Sequence, residues 1–207
     1  MDPDVTCTTG PDASAHVRLR PMTAADAEPV SAAFAAIGWD KPASQYTRYV
    51  QEAEAGTRVV LLAEVDAATG VDADEIDTEG DGADSARGKV GSVFAGYCTL
   101  VWDSDYEPFH EAGIPEVVDL NVLPDHRRHG IASALLDALE QQAAARSDVV
   151  GIGVGLLPDY GAAQRLYVHR GYVPDGRGIA RNGRTVGHGE QIPIDDDVAL
   201  MSTRRVR

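Results

Sequence analysis

The stretch Val117-Val118-Asp119-Leu120-Asn121-Val122-Leu123-Pro124-Asp125-His126-Arg127-Arg128-His129-Gly130-Ile131-Ala132-Ser133-Ala134-Leu135-Leu136 constrains the fold more than any other part of the chain. An apolar, β-branched run ends at a proline, a short basic turn with one glycine follows, and an amphipathic helix starts directly behind it. That order predicts a strand, a tight turn and a helix N-terminus whose free backbone N–H groups point at an anion. Arg127, Gly130 and Ala132 form an Arg-x-x-Gly-x-Ala pattern. Gly130 permits close backbone approach and an unusual φ, while Ala132 keeps the first helical turn slim. Such a turn suits a pyrophosphate. It is neither a P-loop, which needs a lysine after its last glycine, nor a dinucleotide fingerprint, which needs three glycines.

In this setting the pattern resembles the acetyl-CoA turn of the GCN5-related N-acetyltransferase (GNAT) superfamily, Arg/Gln-x-x-Gly-x-Gly/Ala behind a strand ending in Val-x-Pro. A second block, Ala163-Gln164-Arg165-Leu166-Tyr167-Val168-His169-Arg170-Gly171-Tyr172-Val173, resembles the superfamily's later helix, Ala-x-x-Leu-Tyr with a Gly-Phe/Tyr stop. Gly171 suits a C-cap, with basic His169 and Arg170 in the last turn. Tyr160 departs from the family, standing where an asparagine that contacts the pantetheine is common. The resemblance runs from about His16 to Arg204, with specific motifs between Glu116 and Val173.

The resemblance implies an α/β (α+β) fold, with a mixed, mostly antiparallel central sheet flanked by helices and splayed at an acetyl-CoA cleft. Acetyl-CoA is then the co-substrate, with no metal. Backbone N–H groups at Leu120, Asn121 and Val122 would face the acetyl carbonyl. Those at Arg127, Arg128, His129, Gly130, Ile131, Ala132 and Ser133 would face the pyrophosphate, with the Arg127 side chain a secondary cation beside it. Tyr160, Ala163 and Tyr167 would follow the pantetheine arm. Trp39, Tyr46, Tyr106, Phe109 and His110 would line the acceptor pocket.

Acyl transfer to nitrogen needs an amine stripped of its proton, donors for the developing oxyanion, and an acid for the departing thiolate. The resemblance makes Tyr167 that acid. A phenol of pKa about 10 is a workable donor to a thiolate whose acid titrates near 8.5. The alternative is that Tyr167 only packs. The resemblance makes Glu116 the preferred base, since some family members carry a catalytic glutamate at this distance before the Arg-x-x-Gly turn; the alternative is a solvated strand-end acid after Pro115. Asp119 is its rival, because a carboxylate in an apolar strand is costly unless paired or useful. Alternation puts Asp119 on the face opposite Glu116 unless a bulge intervenes, and a structural pair with an arginine serves equally well.

Asp and Glu total 33 against 18 Lys plus Arg, a formal net charge of −15, and Lys41 and Lys89 are the only lysines. Such acidity either attracts a polycationic substrate or keeps a protein soluble in a salt-rich cytoplasm. The acids are spread over tail, loops and helices rather than gathered in one cleft, which favours the second reading and a salt-adapted archaeal source. No basic stripe supports nucleic-acid binding. No apolar run is long enough for a membrane span, and no signal pattern opens the chain, so a cytoplasmic location is expected. Cys7 and Cys98 suggest neither disulfide nor metal site, and His126 and His129 lack further ligands. Arg177, Arg181 and Arg184 either screen phosphates or, more simply, solvate a loop.

One domain, 16–207, is expected behind a loose tail, 1–15. Strands are read at 16–20, 57–65, 90–102, 116–122, 148–156 and 198–203. Helices are read at 24–37, from Ser44 to a stop at Gly56, after Gly130 to about 146, and at 158–171. The acidic stretch 66–89 reads as a flexible loop, 103–115 as a loop, and 176–189 as a mobile hairpin or loop. The expected activity is acetyl transfer to a primary amine, on a small molecule or a protein N-terminus, directly within a ternary complex. The competing expectation is a CoA-binding sensor or interaction module without catalysis. Dimers are frequent in the superfamily, so a homodimer is open.

Overall fold

The computed structural model describes residues 17–66 and 91–207. The expected tail, 1–15, and the acidic loop up to residue 89 lie outside the described residues, apart from Asp66. Among the described residues, eight strands form one sheet: β1 (Val17–Pro21), β2 (Arg58–Asp66), β3 (Ser92–Val101), β4 (Glu116–Val122), β5 (Val149–Gly155), β6 (Val173–Arg181), β7 (Arg184–Thr185) and β8 (Val198–Arg205). Their order is β1-β2-β3-β4-β5-β8-β6-β7. Every neighbouring pair is antiparallel except β4 and β5. Those two pair only at Glu116 with Gly151 and Val117 with Ile152. Beyond Val117 they separate, and the sheet opens.

Alternation along β2 sorts its side chains onto two cores. Leu61 and Ala63 join Cys98, Leu100 and Val117 beneath α4 (Ile131–Ala144), whose Ile131, Leu135, Leu136 and Leu139 form one buried stripe. Val60 and Leu62 join Tyr97 on the other face, under α1 (Ala27–Ala35) and α2 (Ala43–Glu54). Phe34 of α1 and Tyr46, Tyr49 and Val50 of α2 fill that second core at helical spacing. Each such buried side chain is worth about 1.5–3 kcal/mol. Buried Glu140 ties α4 to the far end of the sheet through Arg170, Arg204 and the Tyr172 hydroxyl.

Two segments differ from their sequence reading. The 103–115 stretch contains a helix, α3 (Glu107–Ala112), closed by Gly113 in the left-handed region. Six residues are too few to show helical periodicity, and the helix is held by Phe109, whose ring lies where a Cβ on Gly151 would be. The 176–189 stretch contains the hairpin read there, but its first arm belongs to a longer strand beginning at Val173: β6 turns into β7 through Asn182 and Gly183, both at positive φ, and 186–189 is loop. Two such residues between paired strands make a tight hairpin. The helix read at 24–37 begins as a 3₁₀ turn at Ala24–Asp26 before α1. The last helix, α5 (Gly161–His169), follows a 3₁₀ turn at Pro158–Tyr160 and ends before Gly171 at φ 84°.

Candidate active site

The opening between β4 and β5 continues into a groove of about 1030 Å³. Leu120, Asn121 and Val122 form one wall, and Arg127, Arg128, Gly130, Ile131, Ala132 and Ser133 close one end. Arg128 and Gly130 both adopt left-handed φ, 66° and 77°, and α4 starts immediately afterwards. The first N–H groups of a helix have no intrahelical acceptor, so this turn presents donors and the positive end of a helix dipole to the groove. Of the residues expected there, only His129 is absent from the wall.

The Arg127 side chain has a structural task. Its Nε donates to the Val122 carbonyl at 3.1 Å, and its guanidinium lies over the Trp39 ring, 5.7 Å from the centroid. Trp39 stacks in turn on Phe34. Trp39 therefore lines this groove, held there by Arg127.

Tyr160, in the place of the family asparagine, donates its hydroxyl to Asp196 at 3.1 Å and packs its ring over Gly155. A Cβ at Gly155 would come within 2.5 Å of that ring, so the close approach requires glycine. Ala163 lines the same wall, and Gln164 donates to the Gly155 carbonyl at 2.9 Å. Tyr167 lies outside the groove lining. It is 7% exposed in the core beneath α4, with its ring 5.9 Å from that of Tyr172. Burial holds its phenol protonated, and its hydroxyl has no hydrogen-bond partner among the described residues.

Where β4 begins, a second cavity of about 670 Å³ is lined by Tyr49, Arg58, Tyr106, Glu116, Val118 and Met201, among others. Val118 faces this cavity and Leu120 the groove, so the two spaces approach each other where β4 leaves β5. Glu116 is 8% exposed and accepts a hydrogen bond from Ser104, whose Oγ also accepts from the Tyr106 N–H at 3.0 Å. Burial, reinforced by Asp105, raises its pKa despite the Ser104 bond. It is a buried acid, not a solvated strand end.

Of the five residues expected around the acceptor, only Tyr106 lines this cavity. Its hydroxyl donates to Asp175 at 2.8 Å. Tyr46 is sealed in the second core, drawn there by edge-on contact with Tyr97. Phe109 is spent on Gly151. His110 is exposed and pairs through Nδ1 with Asp103, which raises its pKa, and it lines neither space.

A bulge changes the reading of Asp119. Tyr97 pairs with Asn121 and Thr99 with Val118, so Asp119 and Leu120 together face Cys98. Asp119 sits at φ 59°, a costly position for a residue with a Cβ. The extra residue swings its carboxylate to the α2 side, the side of Glu116, where it accepts from Tyr49 Oη at 2.6 Å, Gln45 Nε2 at 2.8 Å and Lys41 Nζ at 3.2 Å. Burial opposes ionisation, but Lys41 and the Tyr49 bond prevail and hold the carboxyl below its ordinary value. An acid so occupied is a poor base. Its partner is a lysine, not an arginine, and that ammonium also lies 5.9 and 5.8 Å from the Phe34 and Tyr97 ring centroids.

Sequence reasoning missed Lys41, Gln45, Tyr49 and Ser104. One signal for Lys41 was available, since a chain that otherwise uses arginine keeps so few lysines. Arg177 pairs with Asp175, Arg181 with Asp195 and Asp197, and Arg184 with Glu190, and none lines the groove. Cys98 is buried, and Cys7 lies outside the described residues. Among the described residues no group of three or more potential ligands gathers for a metal, and no helix is long and apolar enough to cross a membrane.

Residues 76–172 match the acetyltransferase (GNAT) family. No curated protein sequence matches the chain. Among solved structures, yncA from Salmonella typhimurium, determined with its cofactor acetyl-CoA, superposes at a TM-score of 0.57 and 14% identity, covering 93% of this chain and 95% of that one. Arabidopsis thaliana NAA60, in complex with a bisubstrate analogue, gives 0.59 and 16%, covering 92% and 98%. An N-acetyltransferase from Staphylococcus aureus Mu50 gives 0.58 and 15%, covering 93% and 99%. These likenesses show the fold: the open, mostly antiparallel sheet flanked by helices is that of the GNAT structures.

Proposed function

We propose that this chain is an acetyl-CoA-dependent N-acetyltransferase that moves an acetyl group directly to a primary amine, on a small molecule or a protein N-terminus. The observation that carries the proposal is the opening between β4 and β5, with a helix N-terminus at one end and a buried carboxylate beside the other. The groove fits the cofactor: a left-handed turn and an uncapped helix start suit a pyrophosphate, and an apolar wall at Ala163 and Leu166 suits the pantetheine arm. Bound acetyl-CoA would supply an activated thioester. Its structural neighbours include yncA, whose structure holds that cofactor.

The chain's own residues divide the remaining work. Backbone N–H groups from Arg127 to Ser133 hold the pyrophosphate. Those of Leu120, Asn121 and Val122 receive the carbonyl oxygen as it gains charge. Glu116 takes the proton of the acceptor amine, directly or through a water, and its raised pKa keeps it a stronger base than a surface carboxylate. Tyr167 would donate its own phenol proton to the sulfur of the leaving thiolate and be re-protonated from solvent. Direct transfer within a ternary complex needs no covalent enzyme intermediate.

The buried position of Tyr167, outside the groove lining, is the one observation favouring a CoA-binding sensor without catalysis. Thiol release from acetyl-CoA with a panel of amines decides between them. Amine-dependent release supports the transferase, and tight CoA binding without release supports the sensor. The acidic, lysine-poor composition supports a salt-rich cytoplasm as the working environment.

A further inference from the structure

Resting on the proposed transferase function, we infer that the second cavity selects an acceptor with two cationic groups, an aliphatic diamine or an amine beside another fixed positive charge. Its charges are unevenly answered. Arg48 and Arg58 share Glu52, and Arg181 bridges Asp195 and Asp197. Asp103 is met by His110. Asp105 and Glu116 have no cationic partner among the described residues.

Glu116 is more than nine-tenths buried, and only one of its carboxylate oxygens, the Oε2 that faces Ser104, accepts a hydrogen bond among the described residues. A carboxylate removed from water and set beside a second one is stabilised by a cation. The reacting nitrogen cannot be that cation throughout, because it must shed its proton before it attacks. A second, lasting positive charge on the acceptor answers Asp105, which is exposed at the same cavity. Between the two ends, Val101, Val118 and Met201 give an apolar floor suited to methylene groups. The volume, about 670 Å³, suits a small molecule. The overall acidity had argued weakly for a polycationic substrate because the acids are spread out. Here two of them converge on one cavity without a cationic partner among the described residues.

The test compares 1,4-diaminobutane, n-butylamine and 4-aminobutanoate, which share a chain and differ in the charge at its far end. Thiol release from acetyl-CoA gives kcat/KM for each, and calorimetry measures acetyl-CoA binding in parallel. The inference predicts roughly a tenfold or greater preference for the diamine over butylamine, with 4-aminobutanoate slowest. Asp105→Asn should shrink the diamine-to-butylamine ratio toward one while acetyl-CoA still binds. Equal rates for diamine and butylamine, or a preference for 4-aminobutanoate drawn to Arg48 and Arg58, would overturn it and leave the transferase standing. Transfer to none of the three by protein that binds acetyl-CoA would also overturn it. Failure to bind acetyl-CoA would remove the transferase reading itself, and the inference with it.

Discussion

Tyr49 donates its hydroxyl to the Asp119 carboxylate at 2.6 Å, joining α2 to the one residue of β4 forced into the left-handed region. Lys41 completes the link from the segment between α1 and α2. The three groups fix the bulge at the point where β4 turns away from β5. Removing the ammonium leaves a largely enclosed carboxylate without its counter-ion. Lys41→Met should therefore cost about 2 kcal/mol, below the ~3–5 kcal/mol of a fully buried pair because both side chains keep some exposure. Denaturant unfolding measures it. The double variant Lys41→Met/Asp119→Asn should recover part of the loss, and full additivity would show that the pair does not interact.

Glu116 sets the pH dependence. A base works in its ionised form, so kcat/KM should rise with pH through a pKa above the ordinary carboxylate value. Glu116→Gln should remove that limb and lower kcat by about 10²–10⁴. Stability should move the other way. A carboxyl whose folded pKa is raised favours the fold below its unfolded pKa and loses that contribution as pH climbs through the folded value. At neutral pH Glu116→Gln should thus be at least as stable as the parent by thermal unfolding. A less stable, fully active variant would contradict both statements.

Gly130 separates binding from packing. No atom lies within 4 Å of the position a Cβ would take, so Gly130→Ala introduces only the strain of φ 77°. That strain is about 1–2 kcal/mol. The variant should fold and should weaken acetyl-CoA binding by roughly tenfold as the turn relaxes out of its donor geometry. Calorimetric titration reads the change directly, and unchanged affinity would detach the turn from cofactor binding.

Tyr167→Phe tests the acid role. The hydroxyl has no partner among the described residues, so the substitution keeps the packing and should leave stability within about 0.5 kcal/mol. If the phenol protonates the thiolate, kcat falls by about 10²-fold with little change in acetyl-CoA affinity. A variant turning over at the parent rate would leave Tyr167 a packing residue.

The readable parts of this protein were those encoded locally. The strand, proline, basic turn and helix from Val117 to Leu136 carry their own periodicities and their own glycine, and β4 and α4 form where those predict. The Asp119 site was hidden because its donors lie 70 to 78 residues away in sequence, on α2 and the segment before it. Periodicity marks Tyr46 and Tyr49 alike as core, yet only Tyr49 reaches the second cavity. Phe109 and His110 looked like pocket residues because their loop was legible and α3 was not. The burial of Glu116 depends on Ser104 and Tyr106 folding back over the strand's first residue, which no pattern in β4 announces.

The central claim is that the opening between β4 and β5 holds acetyl-CoA. Calorimetric titration of acetyl-CoA and CoA into the full chain, at low and at multimolar KCl, tests it most directly. The account predicts a single site of micromolar or tighter affinity in at least one condition. A folded chain that binds neither ligand at either salt concentration would contradict it.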